Sequence, residues 1–305
     1  MKNLHQNSLD ILSKRCYNII AVIQYYAILI YKHLDVLTIN VCNTRLYQLG
    51  GLNLKYNKAI VIVSFGSSNL DAIHNTIDVL KLELSNKFKD YLVTVAYTSN
   101  IIKNRLLTMN IKALSPTERL HQLLELSFKE VIILPTHIVG GLEYSKILDC
   151  INQFNTKFDS IKICTPLLNV QDISNIANII LNEFKTSTDT FTILVGHGNG
   201  TSTDSIYTLL NQEISSSGID NIYISTIMGN PNIKDALTMV KEYNPKQIVL
   251  VPFLYVCGSH VARDISTKWK DYFQLNGFTT KCILKGLGEY PTFRNLYIKK
   301  INRLI

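Results

Sequence analysis

The 305-residue sequence has no C-x-x-C pair, no run of lysine or arginine, and no apolar stretch of the length that crosses a bilayer. Each absence argues against a class of protein. The six cysteines, at 16, 42, 150, 164, 257 and 282, lack the spacing of a zinc cage or a disulfide framework and read as buried thiols of a reducing compartment. The formal charge is +8, but the basic residues are scattered and form no patch of the kind nucleic-acid surfaces show, so nucleic acid is not an expected partner. Half of that excess lies in the first 57 residues. There the six cations Lys2, Lys14, Arg15, Lys32, Arg45 and Lys55 face only Asp10 and Asp35, a balance of +4 that leaves +4 for the rest. Charged residues make up 18% of the chain against 47% hydrophobic, so it can bury one large core or two of roughly 100–150 residues.

The uncharged stretch 16–31 (CYNIIAVIQYYAILIY) lies between Lys14-Arg15 and Lys32. A transmembrane helix needs about 20 apolar residues, and this run is shorter and broken by Asn18 and Gln24. A secretory signal wants a short basic start and a small-residue cleavage site, whereas Asp10 precedes this run and Lys32-His33-Leu34-Asp35 follows it. An appended amphipathic or poorly ordered extension is the favoured reading. It places the protein in the cytoplasm without membrane attachment, with membrane association through residues 16–31 as the alternative.

From Lys58 the pattern changes to short β-branched runs alternating with helix-period segments, the signature of a parallel α/β sheet. The apolar runs are 59–65, 91–97, 130–135, 191–196, 221–227 and 247–252, with helices expected over 71–87, 116–128, 144–154 and 232–243. The runs are continuous rather than alternating, as strands buried on both faces require. An internal repeat sharpens this picture. VIVSFGSS (61–68) has a counterpart in ILVGHGNG (193–200), at an offset of 132, and VIILPTHIVGGLE (131–143) one in IVLVPFLYVCGSH (248–260), at an offset of 117. The expected architecture is two similar α/β lobes related by a pseudo-twofold axis across a cleft. The boundaries are an extension over 1–57, a first lobe over 58–185, a second over 186–285, and a C-terminal helix over 286–305 packing back on the first lobe.

The repeat puts Phe65, Glu143, His197 and His260 at, or shortly after, the carboxyl ends of strands, where ligands bind in such sheets. His197 lies between Gly196 and Gly198, which permit a tight turn and a close ligand approach. Alone, such a histidine is more often a surface or hydrogen-bonded core residue than a ligand. His260 falls at the expected start of a helix. Asp264, four residues on, either orients its ring or is simply an acid favoured near a helix N-terminus. Glu143 is likewise either a site acid or a helix-start acid, though the adjacent Gly140-Gly141 and the strand-end His137 favour a site. Imidazole and carboxylate suit borderline divalent metals, and so few protein ligands leave coordination positions open for a substrate.

SFGSS (64–68), AYTSNII (96–102), PTHIVGGLEY (135–144), GHG (196–198), GSHVARD (258–264) and GLGEYP (286–291) follow one another as in the anaerobic sirohydrochlorin cobaltochelatases, which the sequence resembles over residues 58–305. The resemblance implies a class II tetrapyrrole chelatase with two flavodoxin-like lobes. Such an enzyme inserts cobalt(II) into sirohydrochlorin for anaerobic cobalamin synthesis, without ATP and without an organic cofactor, cobalt being the substrate metal. It assigns His197 as proton acceptor and metal ligand, His260 as a second ligand and Glu143 as a catalytic and metal-binding acid. Substrate contacts fall on Ser64, Phe65, Gly66, Tyr97, Thr98 and His137. A homo-oligomer is compatible with this assignment.

Two departures stand out. Where the family usually has a metal-ligating glutamate in a Val-Glu-x-x-Pro context, this chain has Met228 in Ile227-Met228-Gly229-Asn230-Pro231. After Asp264 the chain runs directly to Lys268-Trp269-Lys270 without the acidic loop often found in the family. A sirohydrochlorin ferrochelatase and a non-catalytic tetrapyrrole-binding protein are therefore kept as alternatives.

Overall fold

The computed structural model describes residues 56–305, so the alternatives for 16–31 lie outside the described residues. Strands β1 (Lys58–Ser64), β2 (Tyr91–Tyr97), β3 (Glu130–Pro135) and β4 (Ser160–Ile163) form one parallel sheet in the order β2-β1-β3-β4. Strands β5 (Thr190–Gly196), β6 (Ile222–Thr226), β7 (Gln247–Pro252) and β8 (Thr279–Cys282) form a second in the order β6-β5-β7-β8. The two sheets thus share one strand order, and the fold is α/β as expected.

The central strands β1 and β5 are buried on both faces, with Ala59 to Val63 and Ile193 to Val195 fully inaccessible. Parallel pairing demands such burial, because the crossover helices cover both faces. One face of the first sheet packs Val61, Val63, Val131 and Ile133 on Leu120, Ile147 and Phe154. In the second, Phe191, Val195 and Leu250 meet Val240, Trp269 and Phe273.

The matching offsets reappear as matching hydrogen bonds. Thr136 N donates to Val63 O at 2.8 Å, and Phe253 N to Val195 O at 2.7 Å. Further on, with acceptors 117 apart but donors 120 apart, Leu168 N donates to Ile138 O at 2.7 Å and Gly288 N to Tyr255 O at 2.9 Å. Pro135 pairs with Val63 in one sheet and Pro252 with Val195 in the other. Phe65 and His197 therefore occupy corresponding places in the two lobes, as do Glu143 and His260.

The helices are α1 (Leu70–Ile73, a π turn over His74–Asp78, and Val79–Lys87), α2 (Asn100–Thr108), α3 (Pro116–Glu125), α4 (Leu142–Asn152), α5 (Ile173–Glu183), α6 (Ser205–Ser216), α7 (Ile233–Tyr243), α8 (Ser259–Asp264, a π turn over Ile265–Trp269, and Lys270–Leu275) and α9 (Pro291–Asn302). Local chemistry sets their starts. Ser115 accepts from Glu118 N at 3.2 Å while the Glu118 carboxylate accepts from Ser115 N at 2.7 Å, with Pro116 as first helical residue. Among the described residues no helix is long and apolar enough to cross a membrane.

The last helix is held by residues that precede the second sheet. Tyr297 Oη donates to Thr136 O at 3.3 Å, Lys300 Nζ to the Asp172 carboxylate at 2.9 Å and Arg303 Nη1 to the same group at 2.8 Å. Helix α5, which follows Asp172, packs against α6 of the second lobe and also against α9.

Candidate functional site

Three contacts bring loops of one lobe against those of the other at the carboxyl ends of the sheets. Gly141, the N-cap of α4, lies so close to the Asn199 amide that a Cβ there would overlap it. Gly258, the N-cap of α8, lies against Ser67, whose hydroxyl would stand 3.4 Å from a Cβ at that position. Arg105 on α2 reaches His260, with Nη1 3.4 Å from Nε2. The carboxyl ends of both sheets thus meet, at the place where open α/β sheets hold ligands.

His197 is the first residue past β5 and is exposed. Its loop is built to hold it there. Gly198 has φ +67°, and a Cβ would lie 2.8 Å from Thr226 Cβ and 2.9 Å from Gly229 N, so only glycine fits. Asp204, 3% exposed, accepts from Asn199 N at 3.1 Å and Gly200 N at 2.8 Å and ties the loop down. His197 Nδ1 is 2.7 Å from Gly198 O. A carbonyl only accepts, so Nδ1 carries a proton, and the tautomer this selects has its lone pair at Nε2. Met228 N donates to His197 O at 2.8 Å, which sets both side chains on adjacent backbone, and Met228 is 63% exposed.

Gly198→Ala is expected to cost about 1–3 kcal/mol in stability, the strain of a left-handed alanine. Because Thr226 and the Gly229 backbone must shift to admit the methyl group, the turn that presents His197 moves as well. Denaturant unfolding checks the first effect and metal titration the second.

His260 is the second residue of α8 and Glu143 the second of α4, as their correspondence requires. His260 is exposed and meets Arg105, not Asp264. Asp264 instead pairs with Lys268 at 2.8 Å, one turn further on. The ammonium at i+4 takes the carboxylate, so the ring-orienting role read for Asp264 is not realised.

Burial pushes the Glu143 carboxyl up, but Lys146 at 2.6 Å, the neighbouring Thr98 hydroxyl and His137 outweigh it and hold the acid below its ordinary range. Thr98 stands close enough to exert that pull without meeting hydrogen-bond geometry, and its hydroxyl has no partner among the described residues. Both ring nitrogens of His137 are likewise buried without a partner. Burial brings that ring down to about 4 against a weak opposing pull from Glu143, so it is neutral near pH 7.

Of the residues read as substrate contacts, Phe65 is the exposed one, at 50%. Ser64 is 2% exposed, and its hydroxyl accepts from Gly66 N at 3.3 Å, so it shapes the turn that Phe65 occupies. Gly66, at φ +96°, lies against the Tyr97 ring, where a Cβ would be 2.8 Å from Cδ1. Burial pushes the Tyr97 phenol well up, so it is a neutral wall of the site. Large apolar side chains also stand open at these loops: Ile101 at 67%, Leu142 at 70% and Met228 at 63%. Among the described residues no three of His, Cys, Asp and Glu converge as a set able to hold a metal ion.

Comparison with known proteins accords with this geometry. Residues 58–305 match the family model described as cobalt chelatase (CbiK). The chain is 23% identical over 255 residues to the sirohydrochlorin cobaltochelatase of Salmonella typhimurium, covering 81% of this chain and 96% of that protein. It is 23% identical over 258 residues to the sirohydrochlorin cobaltochelatase CbiKC of Nitratidesulfovibrio vulgaris, covering 81% and 90%. Among solved structures, SirB from Bacillus subtilis with Fe3+ shares the fold at a TM-score of 0.57 and 11% identity, covering 81% of this chain and 94% of that one. DR2241 from Deinococcus radiodurans, a multi-domain protein with structural similarity to chelatases, gives 0.54 at 11% identity, covering 79% and 54%. The chain belongs to the cobalt chelatase (CbiK) family, and its activity is that of a metal chelatase.

Proposed function

We propose that this chain inserts cobalt(II) into sirohydrochlorin, with His197 as the proton acceptor. The observation that carries the reading is the His197 turn: an exposed imidazole with its Nε2 lone pair free, fixed by Gly198 and Asp204 at the meeting of the two sheets. Insertion exchanges two pyrrole N–H protons for one divalent metal, so the site needs an acceptor beside the macrocycle and a ligand set that lets go. Neutral imidazoles serve both ends, since each binds a metal through the lone pair that later takes a proton. Glu143, kept ionised by Lys146, supplies an anion on the opposite lobe for the second proton or for the incoming cation. Phe65, Leu142 and Met228 give a flat apolar ring surfaces to rest on, as ligand sites usually do. A metal destined for delivery is held only briefly, which suits a ligand set of two histidines.

Anaerobic single-turnover mixing of the chain with metal-free sirohydrochlorin and cobalt(II), nickel(II) or iron(II) tests this, read from the macrocycle's absorption. The expected result is insertion well above the spontaneous rate, fastest with cobalt. No acceleration with any metal would reduce the protein to a tetrapyrrole carrier.

Met228→Glu restores the acid that the resemblance places there. It should tighten cobalt(II) binding by about 1–3 kcal/mol, or roughly ten- to hundredfold. The side chain is exposed, so the new carboxylate brings no large burial penalty. Calorimetric titration should show the gain vanish in a His197→Ala background. A gain that persists there would separate Met228 from the His197 site.

A further inference from the structure

We infer that Arg105 is a latch on His260, released when a carboxylate of the macrocycle draws its guanidinium away; this rests on the chelatase reading above. The contact spans the two lobes, from α2 to the first turn of α8, with Arg105 Nη1 3.4 Å from His260 Nε2. A guanidinium has donors only and does not give up its proton, so it donates here and Nε2 accepts. That fixes the His260 proton on Nδ1 and commits to Arg105 the lone pair that a metal would use at Nε2. The two histidines therefore differ. His197 turns its Nδ1 proton into its own loop and leaves Nε2 open, whereas His260 has Nε2 covered by a cation.

A divalent metal cannot join His260 at Nε2 while the guanidinium stays, both because the lone pair is in use and because like charges repel. Among the described residues no carboxylate lies within ion-pair distance of Arg105 to hold it elsewhere. Its planar fork is matched to a carboxylate, which binds it in two parallel charge-assisted hydrogen bonds, far better than one neutral ring nitrogen does. Sirohydrochlorin carries acetate and propionate side chains around its rim. A macrocycle entering between the lobes thus presents Arg105 with a stronger partner, and His260 becomes a metal ligand only when the acceptor of the metal is in place. Arg105 then has two roles, anchoring the macrocycle and delaying the second ligand.

The full chain can be tested with cobalt(II) alone. Arg105→Ala should bind cobalt(II) roughly tenfold more tightly than wild type, the size of one charge-assisted contact, and Arg105→Ala/His260→Ala should lose that gain. Arg105→Lys, which keeps the charge but not the fork, should stay near wild type for the metal. For sirohydrochlorin both single variants should raise KM about tenfold with a smaller change in kcat. Nitrogen NMR of the histidine side chains should show His260 as the Nδ1–H tautomer in wild type and a mixture in Arg105→Ala. Unchanged cobalt(II) affinity in Arg105→Ala, or a gain that survives loss of His260, would overturn the latch. Because the metal titration and the tautomer need no turnover, a wild-type chain that fails to insert cobalt refutes the chelatase reading separately.

Discussion

His197→Ala is expected to slow metal insertion by about 10²- to 10⁴-fold, the range lost with a positioned general base, while the protein stays folded. The turn does not depend on the imidazole. Gly198 provides its left-handed residue, Asp204 accepts from two of its amides, and the backbone carbonyl of His197 accepts from Met228 N, none of which needs the side chain. An exposed ring contributes little core, so stability should change by no more than about 0.5 kcal/mol. On the reading proposed above, the variant removes the proton acceptor and one metal ligand together, so the loss should exceed that of Glu143→Gln, which removes an anion but no metal ligand of the second lobe. Stopped-flow single turnover with sirohydrochlorin and cobalt(II), paired with a thermal melt, separates the two claims. A correctly folded variant that inserts at the wild-type rate would take His197 out of the chemistry.

That turn was legible in the sequence because a glycine-flanked histidine at the end of a β-branched run leaves few local conformations open. The strands were legible for a related reason. Parallel strands covered on both faces must be apolar throughout, so 130–135 and 247–252 coincide with β3 and β7. The outer strands β4 (SIKI) and β8 (TTKC) gave no such signal, since each is only 4 residues long and carries a lysine. The offsets of 132 and 117 carried real geometric content, because the same carbonyls and amides pair in both lobes.

What the sequence could not show are contacts whose partners lie far apart in it. Arg105 sits one residue before a buried leucine on an otherwise ordinary helix, and nothing local marks it as the partner of a residue 155 positions away. Asp204 had a faint local signal, an acid closing the stretch Gly200-Thr201-Ser202-Thr203 after a glycine turn, which is where acids cap freed amides. The Asp264 reading failed for a local reason that was available: Lys268 stands at i+4, and a charged partner outcompetes a neutral one. Ser64 belonged to the recognised motif, yet its hydroxyl points into the turn, so motif membership located the loop rather than the contact.

Asp172→Ala should cost about 3–5 kcal/mol, the usual penalty for breaking a buried ion pair by removing one member, and lower the melting temperature by on the order of 10 °C. Asp172 is 8% exposed and Lys300 5% exposed, so deleting the carboxylate strands a lysine that water cannot reach. The group also joins its own turn to the end of α9, accepting from Asn169 at 2.9 Å, Lys300 at 2.9 Å and Arg303 at 2.8 Å. Burial by itself would push this carboxyl up; the hydrogen bonds from Asn169, Lys300 and Arg303 outweigh it and hold the group at about 2. The sign follows from that depression. In the unfolded chain the carboxyl titrates near 3.8, so the stabilisation is fully present above that value and disappears as pH falls through about 2. Wild type should therefore lose stability on acidification across this window, and Asp172→Ala should lose less there, the two curves converging at the acid end. Replacing both partners, as Asp172→Leu/Lys300→Met, should recover much of the loss, because it leaves no buried charge unpaired. If Asp172→Ala melts with wild type at neutral pH, then the contacts of Tyr297 and Arg294 hold α9 without help, and the network is not what fixes the last helix.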